Sequence, residues 1–343
     1  MDTTPNITFS VIMPCYNSEA YVRSAVQSIL NQSYPHWELI AINDGSKDGT
    51  LSILSEYAEA DSRIKVFSKN NGGYISAVNL GLDKITGDYF LMMGSDDSLS
   101  ANLFQSLSEV PGNPDCIAFR SVIVRDGQVQ GVEHITNFSE TAIAFDTTFA
   151  EFTRSNPVSS AILFTRDTSK CYKRSLLGDL RYFGTYGFDA DGIFSMLLCH
   201  NATSFAVIPI DGYLWTLRED SLSGRKSSYA QNCDRVQNWT EFYTRLLKMN
   251  NKQIAATEIE YLHYFVGILQ EVWKVKHPFL AFYSETRTAV SIINRVLDRT
   301  GFSLTDSGEV RLLLRFPFLW KLFVTTPAPL RKYLQTVKKL INK

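Results

Sequence analysis

Asp88-Tyr89-Phe90-Leu91-Met92-Met93-Gly94-Ser95-Asp96-Asp97-Ser98 is an apolar run that stops abruptly in a small, acidic turn. Tyr89 to Met93 is too short and too uniformly apolar for a surface helix. It reads as a buried parallel strand covered on both faces. In open α/β sheets, ligands gather beyond the carboxyl ends of such strands. Here that end carries Asp96 and Asp97 beside the small residues Gly94 and Ser95. Carboxylates on a rigid strand end suit a hard divalent cation, which can in turn hold a diphosphate. The competing reading is an Asp-rich turn capping the next helix, with Ser98 or Ser100 as N-cap.

Upstream of this strand the chain alternates. Phe9 to Met13 is β-prone and ends at Pro14-Cys15-Tyr16-Asn17; Ser18 then reads as the N-cap of a helix running to about Gln32. Trp37 to Ile42 is a second strand, ended by Asn43-Asp44-Gly45-Ser46, with a helix from Thr50 to Ala60. Ile64 to Phe67 is a third, followed by Asn70-Asn71-Gly72-Gly73 and a helix from Tyr74 to Lys84. A βαβαβαβ order with short connections implies a parallel, doubly wound sheet. Parallel strands share a direction, so their polar C-terminal turns should open onto one crevice.

After Phe104 the pattern changes. Cys116 to Val124 reads as a strand, Asp126-Gly127 as a hairpin turn, and Gln128 to Ile135 as its return. Ser160 to Thr165 reads as a strand and Asp167 to Cys171 as a helix start. Asp189-Ala190-Asp191-Gly192 leads an apolar helix, Ile193 to Cys199; Phe205 to Ile208 is a strand, and Ser221 to Tyr229 a mobile loop or linker. From about Gln231 the character is helical, with Tyr261, Phe265, Ile268 and Val272 on one stripe. Val310 to Lys343 holds no acid, while aromatic and basic residues recur, a composition suited either to a membrane interface or to a packed helical domain.

The totals exclude several classes. The 343 residues allow a large core and two domains. A formal net charge of -1 gives no basic field for nucleic acid. Five scattered cysteines with no CxxC argue against a zinc site or a disulfide framework and for a reducing compartment. The first residues lack a secretory pattern, and no stretch approaches the ~18 apolar residues of a membrane span. The five histidines show no metal-binding spacing.

Taken in order, Val11-Ile12-Met13-Pro14-Cys15-Tyr16-Asn17, Ile42 to Thr50, Asn71-Gly72-Gly73 with Asn79, Gly87-Asp88-Tyr89 leading to Gly94-Ser95-Asp96-Asp97, and Asp191-Gly192-Ile193-Phe194 followed by Arg218 to Ser223 resemble the GT-A-fold glycosyltransferases of family 2. Each motif is weak alone; in this order, over residues 8–224, they are specific. The resemblance implies a Rossmann-like α/β domain, residues 1–224, whose mostly parallel central sheet is flanked by helices. A helical C-terminal region, residues 225–343, would contact membrane, acceptor or a second copy.

The resemblance also implies roles. Pro14, Tyr16, Asn17, Asn71, Gly72 and Ser95 would shape the nucleotide pocket. Asp44 would accept from the uracil imide N–H, a donor that cytosine lacks. Asp96 would hold Mn2+ or Mg2+ against the leaving diphosphate. Asp191 would be the general base of an inverting displacement. Asp97, Asp189 and Arg218 are auxiliary candidates. The implied partners are a UDP-sugar and a glycan or lipid-linked glycan acceptor, not nucleic acid. The implied enzyme is a bacterial hexosyl- or N-acetylhexosaminyltransferase of surface polysaccharide synthesis, cytoplasmic or peripheral on the cytoplasmic face of the inner membrane. The chain departs from the family at Gly94, where the first acid of D-x-D is expected, at Val78, where an arginine is, and at Ala190, where an acid is. Lys47, Lys69 or Arg218 would then supply the missing positive charge. Gly94 and Ala190 suit a second reading, a non-catalytic sugar-nucleotide or glycan binder. A dinucleotide oxidoreductase needs G-x-G-x-x-G at the first turn, which Pro14 to Asn17 lacks.

Overall fold

The computed structural model describes residues 6–125, 127–133, 139–155, 166–185, 187, 189–218, 228–248, 262, 264–269, 271–272 and 279–300. The chain divides into two units, residues 1–225 and 226–343.

In the first unit, β1 (Phe9–Cys15), β2 (Trp37–Asp44), β3 (Ile64–Lys69) and β4 (Tyr89–Met92) are parallel neighbours in the order β3-β2-β1-β4. Strand order reverses at β1, which has β2 on one side and β4 on the other. That is the place where a doubly wound sheet opens a crevice beyond its strand ends. β1, β2 and β4 are almost wholly buried, as continuous apolar runs require when helices cover both faces. One face packs Phe9, Val11, Met13, Leu39 and Leu91 into a cluster with Val22, Ala25, Val26 and Ile29 of α1 (Val22–Leu30). Each such side chain contributes roughly 1.5–3 kcal/mol by leaving water. α2 (Thr50–Ala60) adds Ile53 and Leu54 to that face, and α3 (Gly73–Leu82) packs on β1 and β2.

Beyond β4 the sheet becomes mixed. The short β5 (Ser98–Leu99) and α4 (Leu103–Ser108) follow, then the hairpin of β6 (Cys116–Arg125) and β7 (Gln128–Val132), β8 (Ala142–Ala144) and α5 (Phe149–Ser155). β9 (Lys170–Lys173) lies antiparallel between β4 and β6. The helix α6 (Ala190–Asn201) leads to β10 (Phe205–Thr216), which runs parallel to β6 and antiparallel to β5.

Three local expectations are corrected. Asp167 to Cys171 does not start a helix: Ser169 is left-handed at φ 63, which breaks a helical turn, and Lys170–Lys173 completes the sheet between β4 and β6. Ser18 does not cap α1 with its side chain. Its hydroxyl turns to Ser95, and the helix begins only at Val22. Ser98 sits in β5 and Asn102 is the residue preceding α4, so neither Ser98 nor Ser100 is a cap. The expected strand at Ser160 to Thr165 lies outside the described residues.

In the second unit, α7 (Tyr229–Lys248) buries Val236, Trp239, Phe242, Tyr243 and Leu246 and packs against α8 (Phe279–Thr300), which buries Ala289, Ile293 and Val296. Phe265, Ile268 and Val272 are buried in helical conformation, as their spacing requires. Tyr261, residues 310–343 and most of the Ser221 to Tyr229 stretch lie outside the described residues. Among the described residues no helix is long and apolar enough to cross a membrane.

Candidate active site

The ends of β1, β2 and β4 are stitched into one rim. Asn17 turns the chain at φ 50, its N–H donating to Ser46 Oγ at 3.1 Å and its Oδ1 accepting from the Lys47 N–H at 2.8 Å. Ser18 Oγ lies 2.7 Å from Ser95 Oγ, tying β1 to the turn after β4. Pro14 is half-buried at the end of β1, whereas the Tyr16 ring is 51% exposed over the rim. A large aromatic held open at a strand end offers a flat face to a ring-shaped ligand.

Asp44 ends β2 with a carboxylate that is only 3% exposed. Its Oδ1 accepts from Lys69 Nζ at 2.6 Å and the Gly72 N–H at 2.9 Å; its Oδ2 accepts from the Gly73 N–H at 2.8 Å. Asp44 therefore anchors the start of α3, where exposed helical N–H groups favour negative charge. A carboxylate has about four lone-pair sites, so one on Oδ2 remains for a further donor. Asn71 donates Nδ2 to the Asp44 carbonyl at 3.0 Å. Its backbone comes so close that a Cβ on Gly45 would lie 2.7 Å from the Asn71 nitrogen, and Gly45 has φ +70. Only glycine allows both.

The turn after β4 divides its acids between two tasks. Asp97 is buried, its Oδ2 accepting from the Tyr213 hydroxyl at 2.6 Å and its Oδ1 from the Thr216 N–H at 2.8 Å. Burial, then the charge of Asp96, push its carboxyl up to about 7. Asp96 instead stays a quarter exposed and pairs through Oδ2 with Arg218 Nη2 at 2.6 Å. A Cβ on Gly94 would lie 2.6 Å from Asp97 Oδ2 and 2.9 Å from Asp96 Oδ1, so this turn has no room for an acid there. Asp96 is the part-exposed carboxylate of this turn, and Mg2+ or Mn2+ at such a site takes one or two carboxylates with substrate phosphates and water, so Asp96 fits an ion shared with a substrate; here it pairs with Arg218. Among the described residues no group of three His, Cys, Asp or Glu side chains is gathered as a metal site.

Asp191 stands in the first turn of α6, after Asp189, which is left-handed at φ 60, and the buried Ala190. Burial pushes the Asp191 carboxyl up to about 6. A Gly192 N–H bond lowers it, Asp189 raises it, and Arg166 and Lys170 lower it. Arg166 acts on Asp97 as well, so the β4 turn and the start of α6 share one electrostatic site. Its guanidinium lies 4.0 Å over the Trp215 ring and 3.3 Å from Glu133.

Asp167 was missing from the expected residues, yet it is 2% exposed beside Asp191. It accepts from the Tyr182 hydroxyl and, at a long 3.4 Å, from the Tyr74 hydroxyl. Burial, then the charge of Asp191, push it up to about 7. A lone acid outside any motif carries no sequence signal; only the fold brings it to Asp191.

A groove of ≈ 620 Å³ runs along α3 from Lys69 past Asn79 to Asp83 and is lined also by Tyr182. Lys69 is paired to Asp44, Asn79 to Tyr182 and Asp83 to Arg181. Those pairs hold the walls of the groove together.

Comparison with known proteins agrees with this geometry. The profile described as glycosyl transferase family 2 matches residues 10–181. An uncharacterized glycosyltransferase of Haemophilus influenzae is 48% identical over 89 residues, 26% of this chain and 28% of that protein. The putative teichuronic acid biosynthesis glycosyltransferase TuaG of Bacillus subtilis is 37% identical over 123 residues, 34% of this chain and 48% of that protein. The matches thus span less than half the length of either relative. The solved structure of S. aureus TarS 1-349 in complex with UDP-GlcNAc superposes with a TM-score of 0.66 at 20% identity, covering 97% of this chain and 92% of that one.

Proposed function

The chain belongs to glycosyl transferase family 2 and is a glycosyltransferase, and from that premise we propose that it transfers a hexose or N-acetylhexosamine from a UDP-sugar to a glycan hydroxyl with inversion. The observation that carries this reading is the rim itself. Hydrogen bonds Asn17–Ser46 and Ser18–Ser95 gather Tyr16, Asp44 and Asp96 at one sheet edge, within electrostatic reach of the helix that bears Asp191.

In this mechanism Tyr16 stacks on the base, with Pro14, Asn17, Asn71, Gly72 and Ser95 shaping the pocket, and Asp44 Oδ2 accepts from the uracil imide. The acceptor hydroxyl gives its proton to Asp191 as its oxygen attacks C1 of the sugar. The bond from C1 to the diphosphate oxygen breaks, and UDP leaves with that electron pair. A base held near pKa 6 is ionised at neutral pH and still basic enough for this transfer. GT-A enzymes commonly use a divalent metal to offset charge on the departing diphosphate; were one bound here, the Asp96 carboxylate would hold it.

Relatives in polysaccharide synthesis, including TuaG, support a surface-glycan acceptor, lipid-linked or free. The acid-free, basic and aromatic stretch 310–343 supports peripheral contact with the cytoplasmic face of the inner membrane. Retention of the full chain on anionic vesicles checks the membrane contact, and its absence from them refutes it. For the activity, purified protein is screened with UDP-, GDP- and dTDP-sugars by thermal shift, and slow UDP release is then followed. A shift confined to UDP-sugars supports the proposal; a shift with GDP- or dTDP-sugars alone rejects the uridine reading. A non-catalytic binder, favoured by Ala190 and Gly94, would bind UDP with no release that Asp191→Asn abolishes.

A further inference from the structure

Asp44 fixes more than the two glycines it binds. The Gly73 N–H donates to Asp44 Oδ2 at 2.8 Å, which sets the backbone of the next residue, Tyr74, one step beyond the carboxylate assigned to the uracil. From there the Tyr74 side chain reaches the other end of the site. Its hydroxyl donates to Asp167 Oδ2 at 3.4 Å, and Asp167 feels the charge of Asp191. Burial of that hydroxyl, then the charges of Asp167, Asp191 and Tyr213, hold it well above its ordinary pKa, so it stays protonated and a donor. Tyr213 is the residue whose hydroxyl accepts from the Gly94 N–H and donates to Asp97 in the turn after β4. One tyrosine therefore spans from the nucleoside anchor to the general base, with the β4 turn in electrostatic reach.

Tyr74 also differs from its aromatic neighbours in what it leaves uncovered. Tyr182 is 4% exposed and Tyr213 1%, whereas Tyr74 is 43% exposed. Its hydroxyl end is desolvated while the ring stays open. The ring is braced. It makes a T-shaped contact with Tyr182 at 6.2 Å and 81°, and Tyr182 is stacked on Phe194 of α6 at 4.2 Å. A Cβ on Gly187, in the segment leading into α6, would lie 3.5 Å from Tyr74 Cδ1, and Gly187 has φ +81. The backbone there passes beside the ring and brings no side chain of its own. An aromatic already held in place loses little freedom when a ligand packs on it.

Beyond its nucleoside, a UDP-sugar carries a diphosphate and then a pyranose. The diphosphate has nothing apolar to offer a ring, but a pyranose has faces of C–H groups bordered by hydroxyls. Tyrosine matches that pattern with an apolar body and a polar tip. Resting on the UDP-sugar reading, we propose that Tyr74 is the platform for the donor sugar: its ring takes a C–H face of the pyranose, and its hydroxyl donates to a sugar hydroxyl. Asp167 keeps its bond from the Tyr182 hydroxyl when Tyr74 turns to the sugar. The platform holds C1 toward the acceptor hydroxyl that Asp191 deprotonates.

The test is calorimetric titration, without acceptor and with Mn2+ present, of UDP, UDP-glucose, UDP-galactose and their N-acetylamino counterparts into the full-length protein. Tyr74→Ala and Tyr74→Leu should keep UDP affinity within about twofold and weaken the best-bound UDP-sugar by about tenfold or more. Tyr74→Phe keeps the ring and should lose only about threefold. Thermal melting of each unliganded variant shows that it is folded. UDP and UDP-sugar weakened alike in a folded variant, or UDP-sugar binding left unchanged by Tyr74→Ala, overturns the platform. So does a Tyr74→Phe protein as weak as Tyr74→Ala, which would put the whole effect on the hydroxyl. A wild type that binds UDP and no UDP-sugar overturns the platform and leaves the uridine site in place. Binding of neither overturns the UDP-sugar reading as well.

Discussion

Asn79 and Tyr182 clasp each other twice: Asn79 Nδ2 donates to the Tyr182 carbonyl at 2.9 Å, and the Tyr182 N–H donates to Asn79 Oδ1 at 2.8 Å. Tyr182 then stacks on Phe194 of α6 at 4.2 Å and gives its hydroxyl to Asp167. One side chain thus links α3, anchored by Asp44, to the helix carrying Asp191. Asn79→Ala leaves two backbone groups without partners and should lower stability by about 2 kcal/mol. Urea unfolding measures it. A loss under ~0.5 kcal/mol would mean that water replaces the clasp at little cost.

The acid side of the pH profile follows from Asp191. A carboxylate accepts a proton only when ionised, and burial holds this one at about 6. The transfer rate should therefore climb as pH rises through about 6 and level off above it. Asp191→Asn should cut kcat by at least about a hundredfold while UDP affinity stays within about twofold of wild type. A rate that is flat from roughly pH 5 to pH 8 would take Asp191 out of the reaction.

Asp167 gives a stability signature of its own. Its folded pKa is raised to about 7, by burial and then by Asp191. The native state therefore holds a proton that the unfolded chain, with an ordinary carboxyl, has released. Stability from that proton is full below the unfolded value and is lost as pH rises through about 7. Asp167→Asn keeps an acceptor for Tyr182 and carries no charge. Its stability relative to wild type should improve steadily from about pH 5 to about pH 8. Parallel stability curves for the two proteins would show that Asp167 does not titrate in this way.

The strands of the first half were legible because each apolar run ends in a polar turn, and burial on both faces leaves little else such a run can be. Lys170–Lys173 was misread because lysines at both ends hide a short strand whose identity comes from β4 and β6 on its two sides. Ser18 had the sequence of an N-cap and spent its hydroxyl on Ser95, a partner far along the chain. Asp191 was visible through its motif, whereas Asp167 and the Arg218–Asp96 pair depend on residues brought together by folding. Of the three candidate cations, Lys69 pairs with Asp44 and Arg218 with Asp96, neither of which any spacing in the sequence predicts.

The Asp44 carboxylate has a structural duty that can be measured apart from nucleotide binding. Asp44→Asn puts an amide where three donors converge, so one donor meets another and Lys69 loses its counter-charge. The expected cost is about 2–3 kcal/mol. Lys69→Met removes a partly exposed partner and leaves both glycine N–H bonds, so it should cost about 1 kcal/mol or less. Denaturant midpoints of the two variants give the comparison. Equal losses would contradict the anchoring of α3 by Asp44.

Gly94→Asp restores the acid expected by family resemblance and should do so at a cost in stability. The new Cβ meets Asp97 Oδ2 at 2.6 Å and Asp96 Oδ1 at 2.9 Å, and the added carboxylate brings like charge into a turn that already has two. Overpacking of this kind costs about 1–3 kcal/mol. Asp97 has little freedom to retreat, because Tyr213 and the Thr216 backbone hold it. The variant should melt below wild type in a thermal scan. Gly94→Ala separates the two effects: it carries the steric cost without the charge. A Gly94→Asp protein that melts at the wild-type temperature would show that the turn is more pliable than its contacts indicate.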